Sequence, residues 1–315
     1  MKSDKMTVAL LSGGKSAERQ VSLDSGAQVL QALDKERYEV RTYDPRDDLP
    51  RLAREAGEID VALVVLHGRL GEDGCIQGFL ESLGVPYQGT GVLGSALAMN
   101  KIVSKDLYVQ AGLSTAPYAV ADRNKQEAVG GIVERLGLPV VVKPEHEGSS
   151  IGLSIVKEEE DLRQALEKAW EYDRRCLVEQ YIRGTEITCG VLGNDTLEAL
   201  PLIEIVPGEK YEFFDYEAKY VPGATEEICP ARIPGDIAEK AREYGRKAHR
   251  ILHCRGYSRT DMILRGEDLY VLETNTLPGM TRTSLYPQAA AAGGYDFPRL
   301  LDRLVELALE GPQGG

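Results

Sequence analysis

The sequence has no long apolar run, no paired cysteines and no excess of positive charge. No stretch approaches the ~20 apolar residues that span a bilayer, and residues 1–7 are short and charged, so no signal peptide is predicted. The five cysteines are odd in number, widely spaced and without a C-x-x-C pair, which predicts reduced, mostly buried thiols in a cytoplasmic protein. The formal charge of −13 disfavours a general nucleic-acid binder and a protein of anionic membranes.

What is present is the patterning of a multidomain α/β protein. The 315 residues are 43% hydrophobic and 28% charged, which is ordinary for a globular chain with two or three cores. Over the first ninety residues strand and helix patterns alternate, which predicts a parallel sheet covered on both faces. The predicted elements are strands at 6–11, 38–43 and 61–66 and helices at 22–33 and 74–83.

Three domains are expected, with boundaries at 1–97, 98–183 and 184–315. The central domain is predicted to contain helices at 100–111, 125–136 and 158–172 and strands at 139–143, 153–156 and 176–180. The C-terminal domain is richer in strands and ends in helices over 235–254 and 297–310. Residues 207–227 form a long aromatic-rich stretch, and loops of that length inside compact domains are usually lids or binding loops.

Three familiar motifs are matched only in part. GKS at 14–16 resembles the end of a P-loop, but the required glycine five residues earlier is Ala9. GTGVLG at 89–94 fits the dinucleotide pattern, yet the preceding strand is too short and no acidic residue follows a second strand. His249 and His253 have the helical spacing of zinc ligands without the glutamate that should follow His249, which favours a surface or packing role.

A candidate metal site lies near the carboxyl end. Asp261 ends one strand-like run, and Glu273 and Asn275 end the next, with a turn at 265–267 between the runs. An antiparallel pair would bring the three side chains together, because side chains two residues apart share a strand face. Hard oxygen ligands without thiol or imidazole suit Mg²⁺ completed by substrate phosphates. The alternative is that these are ordinary solvated polar residues at strand ends.

A candidate nucleotide site lies earlier in the sequence than the candidate metal site. Lys143 ends a buried strand and a Gly/Ser loop at 148–152 follows, so that backbone N–H groups and an ammonium could hold phosphate oxygens. The backbone of 179–182 could read an adenine edge, Glu186 could accept from ribose hydroxyls, and Lys101 is a second candidate phosphate cation. A strand-terminal lysine beside a flexible loop is also common without any ligand.

These motifs together resemble the D-alanine–D-alanine ligase family of ATP-grasp enzymes. The resemblance covers nearly the whole chain and rests on GGKSAERQVS at 13–22, HGRLGEDG at 67–74, KP at 143–144 with GSS at 148–150, DYEAKY at 215–220, RTD at 259–261 and ETNTLPGMT at 273–281. Two departures are Asn100, where an acidic residue is frequent, and Gln180, where lysine is common.

The resemblance implies three α/β domains, the first Rossmann-like and contacting the first substrate, with ATP clamped between the central and C-terminal ones. It implies a ligase that activates one D-alanine as an acyl phosphate and joins it to a second, with two Mg²⁺ or Mn²⁺ ions. A cytoplasmic homodimer that binds neither nucleic acid nor membrane is expected.

The residue roles implied by the resemblance fall into four groups. The catalytic group is Glu18, Ser149, Tyr220, Arg259 and Gly279, in which Glu18, Ser149 and Tyr220 form a triad that fastens the long loop. The substrate-binding group is His67, Lys219, Ser284 and Leu285. The nucleotide-binding group is Lys101, Lys143, Glu179, Gln180, Ile182 and Glu186. The metal ligands are Asp261, Glu273 and Asn275.

Three other functions remain open. One is a sibling ligase that takes D-lactate or D-serine as second substrate, and the residue at position 220 discriminates between these, since tyrosine favours an amine. Another is a dinucleotide-dependent oxidoreductase, which the incomplete glycine motif opposes. The third is a non-catalytic nucleotide-binding module, which the presence of metal ligands, Arg259 and loop residues together disfavours.

Overall fold

Three β-sheets organise the residues that the computed structural model describes, which are 5–125, 131–208 and 225–310. The first sheet is parallel and consists of β1 (Met6–Leu11), β2 (Tyr38–Tyr43) and β3 (Val61–Val64), in the spatial order β2-β1-β3. Helices α1 (Arg19–Ala32), α2 (Leu49–Glu55) and α3 (Cys75–Ser82) follow these strands in turn. Every residue of β3 is buried, as in strands covered on both faces. The predicted βαβ pattern is confirmed, and α2 is an additional helix.

Two further helices lead from the first sheet to the second. They are α4 (Val92–Met99) and α5 (Lys101–Gln110). The sequence did not predict α4, because its first turn coincides with the glycine-rich stretch at 89–94. Asn100 separates the two helices and caps α5, since its side chain accepts a hydrogen bond from the Val103 N–H at 3.0 Å.

The second sheet is antiparallel and has its own hydrophobic core. Its strands are β4 (Tyr118–Asp122), β5 (Val140–Pro144), β6 (Ser154–Val156) and β7 (Arg175–Gln180), in the order β4-β7-β5-β6. Helices α6 (Ile132–Leu136) and α7 (Leu162–Ala169) cover it. Part of the helix predicted over 125–136 lies outside the described residues. The helix predicted over 158–172 is shorter, because a 3₁₀ turn precedes α7 and buried Trp170 is its C-terminal cap.

The third sheet is mainly antiparallel and carries the longest strands. They are β8 (Thr185–Gly193), β9 (Glu198–Ala199), β10 (Ile203–Pro207), β11 (Thr225–Ile228), β12 (Gly256–Arg265) and β13 (Asp268–Asn275), in the order β11-β10-β8-β12-β13 with β9 beside β8. Its helices are α8 (Gly235–Ile251), α9 (Leu285–Ala292) and α10 (Phe297–Leu309). The predicted hairpin around 265–267 is present, and its register shifts between Asp261 and Met262. Such a bulge changes the twist of the hairpin.

The first sheet shares its core with helices from the far end of the chain. Residues of β1 and β3 belong to the same buried cluster as residues of α9 and α10. At the edge of this cluster the Tyr38 hydroxyl donates to Asp302 Oδ1 at 2.7 Å. The domain boundaries stay predictions, but the packing joins residues 6–66 to residues 285–309.

The described cysteines are all free thiols, but Cys75 is exposed, so only part of the expected burial is found. No helix in the described ranges combines the length and the apolar character needed to cross a bilayer.

Candidate active site

Two adjoining cavities lie where the three sheets meet. The larger, about 340 Å³, is called the polar cavity and is lined by residues that include Glu18, His67, Arg259 and Ser284. The smaller, about 140 Å³, is called the slot and lies between the second and third sheets. Four residues line both cavities: Lys101, Gly148, Ser149 and Glu273. A molecule that occupied the slot could therefore meet a second molecule in the polar cavity at these residues.

The slot has apolar walls contributed by two sheets. Val141 and Ile155 come from the second sheet, and Ile263 and Leu272 from the third. Concave apolar sites with a few placed polar groups are the usual form of small-molecule pockets.

One end of the slot carries a buried ionic cluster. Glu179 Oε2 binds the Lys105 ammonium and Glu179 Oε1 binds the Lys143 ammonium. Burial opposes ionisation of Glu179, but the two lysines lower the pKa of that carboxyl to about 2. Although burial disfavours the charge on Lys143, Glu179 and Glu273 raise the pKa of its ammonium. Lys143 was predicted to meet phosphate, and here it lines the slot while bound to Glu179.

The residues predicted to read the base lie beside this cluster. Gln180, Ile182 and Glu186 all line the slot. The Gln180 N–H donates to Pro117 O at 2.9 Å, and its side-chain Nε2 donates to Leu136 O at 3.1 Å. Tyr181 N–H donates to Pro139 O at 3.0 Å. Because the N–H groups of Gln180 and Tyr181 already donate to backbone carbonyls, Ile182 is the better candidate for a backbone donor to the base.

The predicted metal triplet lies on one face of the β12–β13 hairpin. Asp261 is directly opposite Glu273, and Asn275 is directly opposite Arg259. Glu273 lines both cavities, Asp261 the slot and Asn275 the polar cavity. Among the described residues no group of three or more His, Cys, Asp or Glu side chains is placed to hold a metal. This set has two carboxylates and an amide, and its donor chemistry still fits Mg²⁺, which accepts few protein ligands.

Asp261 has partners that the sequence did not indicate. Arg259 Nε and Nη2 donate to its two oxygens at 2.9 Å each, and Thr188 Oγ1 donates to Oδ1 at 2.6 Å. A carboxylate has about four acceptor positions, so these three bonds leave room for a metal bond. The bidentate pair holds Arg259 in a fixed orientation beside the polar cavity.

The polar cavity joins the first sheet to the Gly/Ser loop. Ser149 Oγ donates to Glu18 Oε1, so two of the three predicted triad members are in contact. The backbone of Ser149 is left-handed, with φ +48°, a strained state for a serine that is often found at functional sites. Tyr220 and Lys219 lie outside the described residues, so their predicted roles stay predictions.

Two titratable side chains behind Glu18 have shifted pKa values. Burial lowers the pKa of His67 most strongly, Glu18 opposes this and Arg259 adds to it, so the imidazole is held neutral. Its Nε2 is buried without a hydrogen-bond partner among the described residues. Burial and the neighbouring Glu18 raise the pKa of Glu72 to about 8, although the Gly68 N–H donates to Glu72 Oε2 at 2.6 Å.

The far wall of the polar cavity is formed by Gly279, Ser284 and the start of α9. A Cβ atom at position 279 would lie 2.9 Å from Ser284 Oγ, so a larger residue there would displace the Ser284 hydroxyl. The Ser284 hydroxyl contacts Thr281 Oγ1 at 2.7 Å. Leu285 is the first residue of α9, and N–H groups at a helix start attract carboxylates.

Sequence reasoning missed three residues of the site: Lys105, Glu72 and Thr188. Lys105 lies four residues after Lys101 on one helix and so faces the same way, which was a usable signal. Glu72 lies in the 67–74 motif, but the sequence analysis predicted no role for it. Thr188 had no signal, because its contact with Asp261 depends on how β8 pairs with β12. His249 is buried and bonded to Ser258 Oγ at 2.7 Å, which agrees with the expected packing role.

Comparison with known proteins gives matches over most of the chain. The family model described as "D-ala D-ala ligase N-terminus" matches residues 7–50 and 42–90, and "D-ala D-ala ligase C-terminus" matches residues 107–306. The chain is 67% identical over 310 residues to the D-alanine–D-alanine ligase of Syntrophobacter fumaroxidans, covering 98% of this chain and 100% of that protein. It is 54% identical over 316 residues to that of Desulfotalea psychrophila, covering 99% and 98%.

Solved structures are similar over the same length. The D-alanine–D-alanine ligase from Bacillus anthracis complexed with ATP has a TM-score of 0.85 at 35% identity, covering 97% of this chain and 98% of that one. The VanG D-Ala:D-Ser ligase from Enterococcus faecalis has a TM-score of 0.84 at 30% identity, covering 96% and 99%. The ATP-grasp fold expected from the sequence is confirmed by these similarities.

Proposed function

Since the chain belongs to the D-alanine–D-alanine ligase family, we propose that its two cavities carry out the two halves of one reaction. The slot takes ATP, and the polar cavity takes two molecules of D-alanine, which are joined to D-alanyl-D-alanine for peptidoglycan precursor synthesis. The observation that carries this proposal is the junction of the cavities at Lys101, Ser149 and Glu273. A γ-phosphate entering from the slot would meet a carboxylate in the polar cavity there.

In the first half, the carboxylate of one D-alanine attacks the γ-phosphate, which gives D-alanyl phosphate and ADP. Glu18 has the charge to hold the ammonium of this D-alanine, and neutral His67 lines the same wall without repelling it. Lys101 and Lys143 neutralise phosphate charge, which is the main demand of phosphoryl transfer. Lys101 Nζ is already at the junction, 3.8 Å from Glu273 Oε2.

Asp261, Glu273 and Asn275 would hold the Mg²⁺ that accompanies ATP, and two ions are expected, with Mn²⁺ as a substitute. When bound, the metal neutralises charge on the β- and γ-phosphates. The fit rests on three oxygen-bearing side chains on one hairpin face, of which Glu273 lines both cavities, Asp261 the slot and Asn275 the polar cavity.

In the second half, the neutral amine of the other D-alanine attacks the acyl phosphate carbonyl, the C–N bond forms as the C–O bond to phosphate breaks, and the proton lost from nitrogen passes to the released phosphate or to solvent. Arg259 and the Gly279 N–H would stabilise the tetrahedral oxyanion. Ser284 and the Leu285 N–H would hold the carboxylate of this second D-alanine at the start of α9. The bidentate pair with Asp261 fixes the guanidinium of Arg259 before the substrate arrives.

Water must be excluded because it would hydrolyse the acyl phosphate. By the family pattern Tyr220 completes a triad with Ser149 and Glu18 and fastens the loop over the site, and Lys219 contacts substrate. The Glu18–Ser149 contact supports this proposal. The homodimer and the cytoplasmic location remain predictions of the same kind.

The test is product formation from ATP, Mg²⁺ and single D-amino acids. We expect one phosphate released per D-alanyl-D-alanine formed, measured by phosphate assay and product mass, and no product from L-alanine. Absence of dipeptide would overturn the proposal.

The choice of second substrate is tested in the same assay with D-alanine, D-serine and D-lactate. Tyr220 is neutral at pH 7, unlike a histidinium, and does not repel an incoming ammonium. We therefore expect D-alanine to have a higher kcat/KM than D-lactate. An equal or higher kcat/KM for D-lactate or D-serine would assign the protein to a sibling ligase.

A further inference from the structure

Lys105 is a buried lysine directly behind the slot. Its side chain is 1% exposed and is paired with Glu179, whose side chain is 3% exposed. Lys105 Nζ lies 5.8 Å from the centroid of the Tyr118 ring, and Tyr118 is the strand partner of Glu179. Lys105 lines neither cavity, whereas Glu179 and Lys143 line the slot. Lys105 therefore does not touch a molecule bound in the slot, and the residue that it binds and that does line the slot is Glu179.

The carboxylate of Glu179 is shared between two lysines that differ in their access to the slot. Oε2 faces Lys105 inside the protein, and Oε1 faces Lys143, which borders the slot. Two ammonium groups on one carboxylate leave an excess positive charge. A polyphosphate in the slot would attract Lys143, because Lys143 is the one of the two lysines that a ligand can reach.

Departure of Lys143 from Glu179 would leave one cation and one anion in the buried cluster. Breaking a buried ion pair without a substitute is strongly unfavourable, because a buried charge is left uncompensated. Lys105 removes that problem, since it remains bound to Glu179 Oε2. Glu179 Oε1 then faces the slot as a hydrogen-bond acceptor.

We propose that Lys105 is a positioning residue that holds Glu179 ionised and in place while Lys143 turns to the phosphates, so that Glu179 Oε1 accepts from an amino group on the base. The proposal rests on the proposed function in requiring that the slot bind a nucleotide. An ionised carboxylate accepts hydrogen bonds and cannot donate them. The slot therefore selects a purine with an amino group at position 6 over one with a carbonyl there.

The test compares ADP with IDP, which differ at position 6 of the purine by an amino group against a carbonyl. Equilibrium binding is measured by calorimetry with Mg²⁺ and without D-alanine, so that the result does not depend on turnover. A hydrogen bond to a charged group predicts that wild-type protein binds ADP about 10–100-fold more tightly than IDP. In Lys105→Met that preference should fall about tenfold or more, because Glu179 either keeps Lys143 or takes up a proton.

Two further variants distinguish a positioning role of Lys105 from a role in stability alone. Lys105→Arg keeps the charge and should keep the preference for ADP even if Tm falls. The double variant Lys105→Met with Glu179→Gln removes both charges, so it should recover Tm relative to Lys105→Met and yet still lack the preference, since an amide can donate to a carbonyl.

Arg232→Met is the matched control. It also removes the cation from a buried carboxylate, Glu204, but neither residue lines the slot or the polar cavity. Its Tm should fall while the ratio of ADP to IDP affinity stays at the wild-type value.

Several outcomes would overturn the proposal. One is a folded Lys105→Met that keeps the wild-type ratio, and another is equal weakening of ADP and IDP, which would make Lys105 only a structural counter-ion. A wild-type protein that binds ADP without forming dipeptide would count against the ligase assignment while leaving the Lys105 test intact. Failure of the wild-type protein to bind either nucleotide would overturn both.

Discussion

The slot lies between the second and third sheets, whereas the polar cavity also includes residues that follow strands of the first sheet. The slot is walled by residues inside strands, such as Val141 and Ile263, and their positions follow from strand pairing. The polar cavity combines strand residues, such as Arg259 and Asn275, with residues that follow or precede regular elements, such as Glu18, His67 and Ser149, so its shape depends on how those loops meet. Nucleotide affinity and catalytic turnover should therefore respond separately to substitution, except at the junction.

The junction residue Glu273 should show the largest effect. Glu273→Gln lowers the negative charge that holds the metal, whose contribution to transition-state stabilisation is several kcal/mol. We expect kcat to fall on the order of 10³-fold, while the affinity for nucleotide falls much less because the walls of the slot remain. Steady-state kinetics and ADP calorimetry measure the two effects. Glu267→Gln, at the turn of the same hairpin, should leave both unchanged, and near-normal kcat in Glu273→Gln would exclude it as a ligand.

A substitution at Arg259 tests whether turnover can be lost in the polar cavity while the slot still binds nucleotide. Arg259→Lys keeps the charge and loses the planar fork that binds Asp261. Loss of one oxyanion donor predicts ~3 kcal/mol, about 100-fold in kcat. ADP affinity should stay close to wild type. Arg265→Lys on the same strand is the control, and normal turnover in Arg259→Lys would move the oxyanion role to another group.

A substitution at Gly279 tests whether Ser284 must keep its position in the far wall of the polar cavity. In Gly279→Ala the new methyl group would meet Ser284 Oγ at 2.9 Å and push the serine away from its position. We expect KM for the second D-alanine to rise about tenfold, as for the loss of one hydrogen bond to a charged group. Gly57→Ala is the control, since nothing lies within 4 Å of a Cβ there. An unchanged KM would show that Ser284 does not hold that carboxylate.

The smallest effect is expected on stability, at Glu72. The pKa of Glu72 in the folded protein is about 8, above its unfolded value of ~4.3. Its favourable contribution is therefore complete below the unfolded pKa and is lost as pH rises through 8. Glu72→Gln cannot ionise, so its Tm should exceed that of wild type by ~2 °C or more at pH 9 and not at pH 5. The exposed variant Glu36→Gln should show no such pH-dependent gain, and parallel Tm curves for Glu72→Gln and wild type would contradict the raised pKa.

The sequence predicted the strand-built parts of the site better than the parts built by tertiary packing. The face shared by Asp261, Glu273 and Asn275 followed from the alternation of side chains in a hairpin, and that hairpin is present. The pairing of Lys105 with Glu179 joins residues 74 apart, and that of Thr188 with Asp261 joins residues 73 apart. Neither pairing has a local signal, because each depends on how one element packs against another.

The residues of the polar cavity were predicted from the family resemblance more than from the periodicity of the sequence. No rule of spacing connects Ser149 with Glu18, which are 131 residues apart and lie in loops next to different sheets. The loop geometry that brings them together includes a left-handed serine, which propensity does not predict. The helix α4 was missed for a related reason, since glycine-rich sequence is usually read as a turn.

The packing of α10 against the first sheet has a consequence for the protein while it is being synthesised. Residues 6–64 leave the ribosome early, but the apolar cluster they form with residues 297–309 cannot close until nearly the whole chain has been made. At ~5–20 residues per second the delay is on the order of 10–50 s. During that interval the nascent protein carries an uncovered hydrophobic surface. Exposed hydrophobic surface promotes aggregation, so this risk persists during translation until α10 docks.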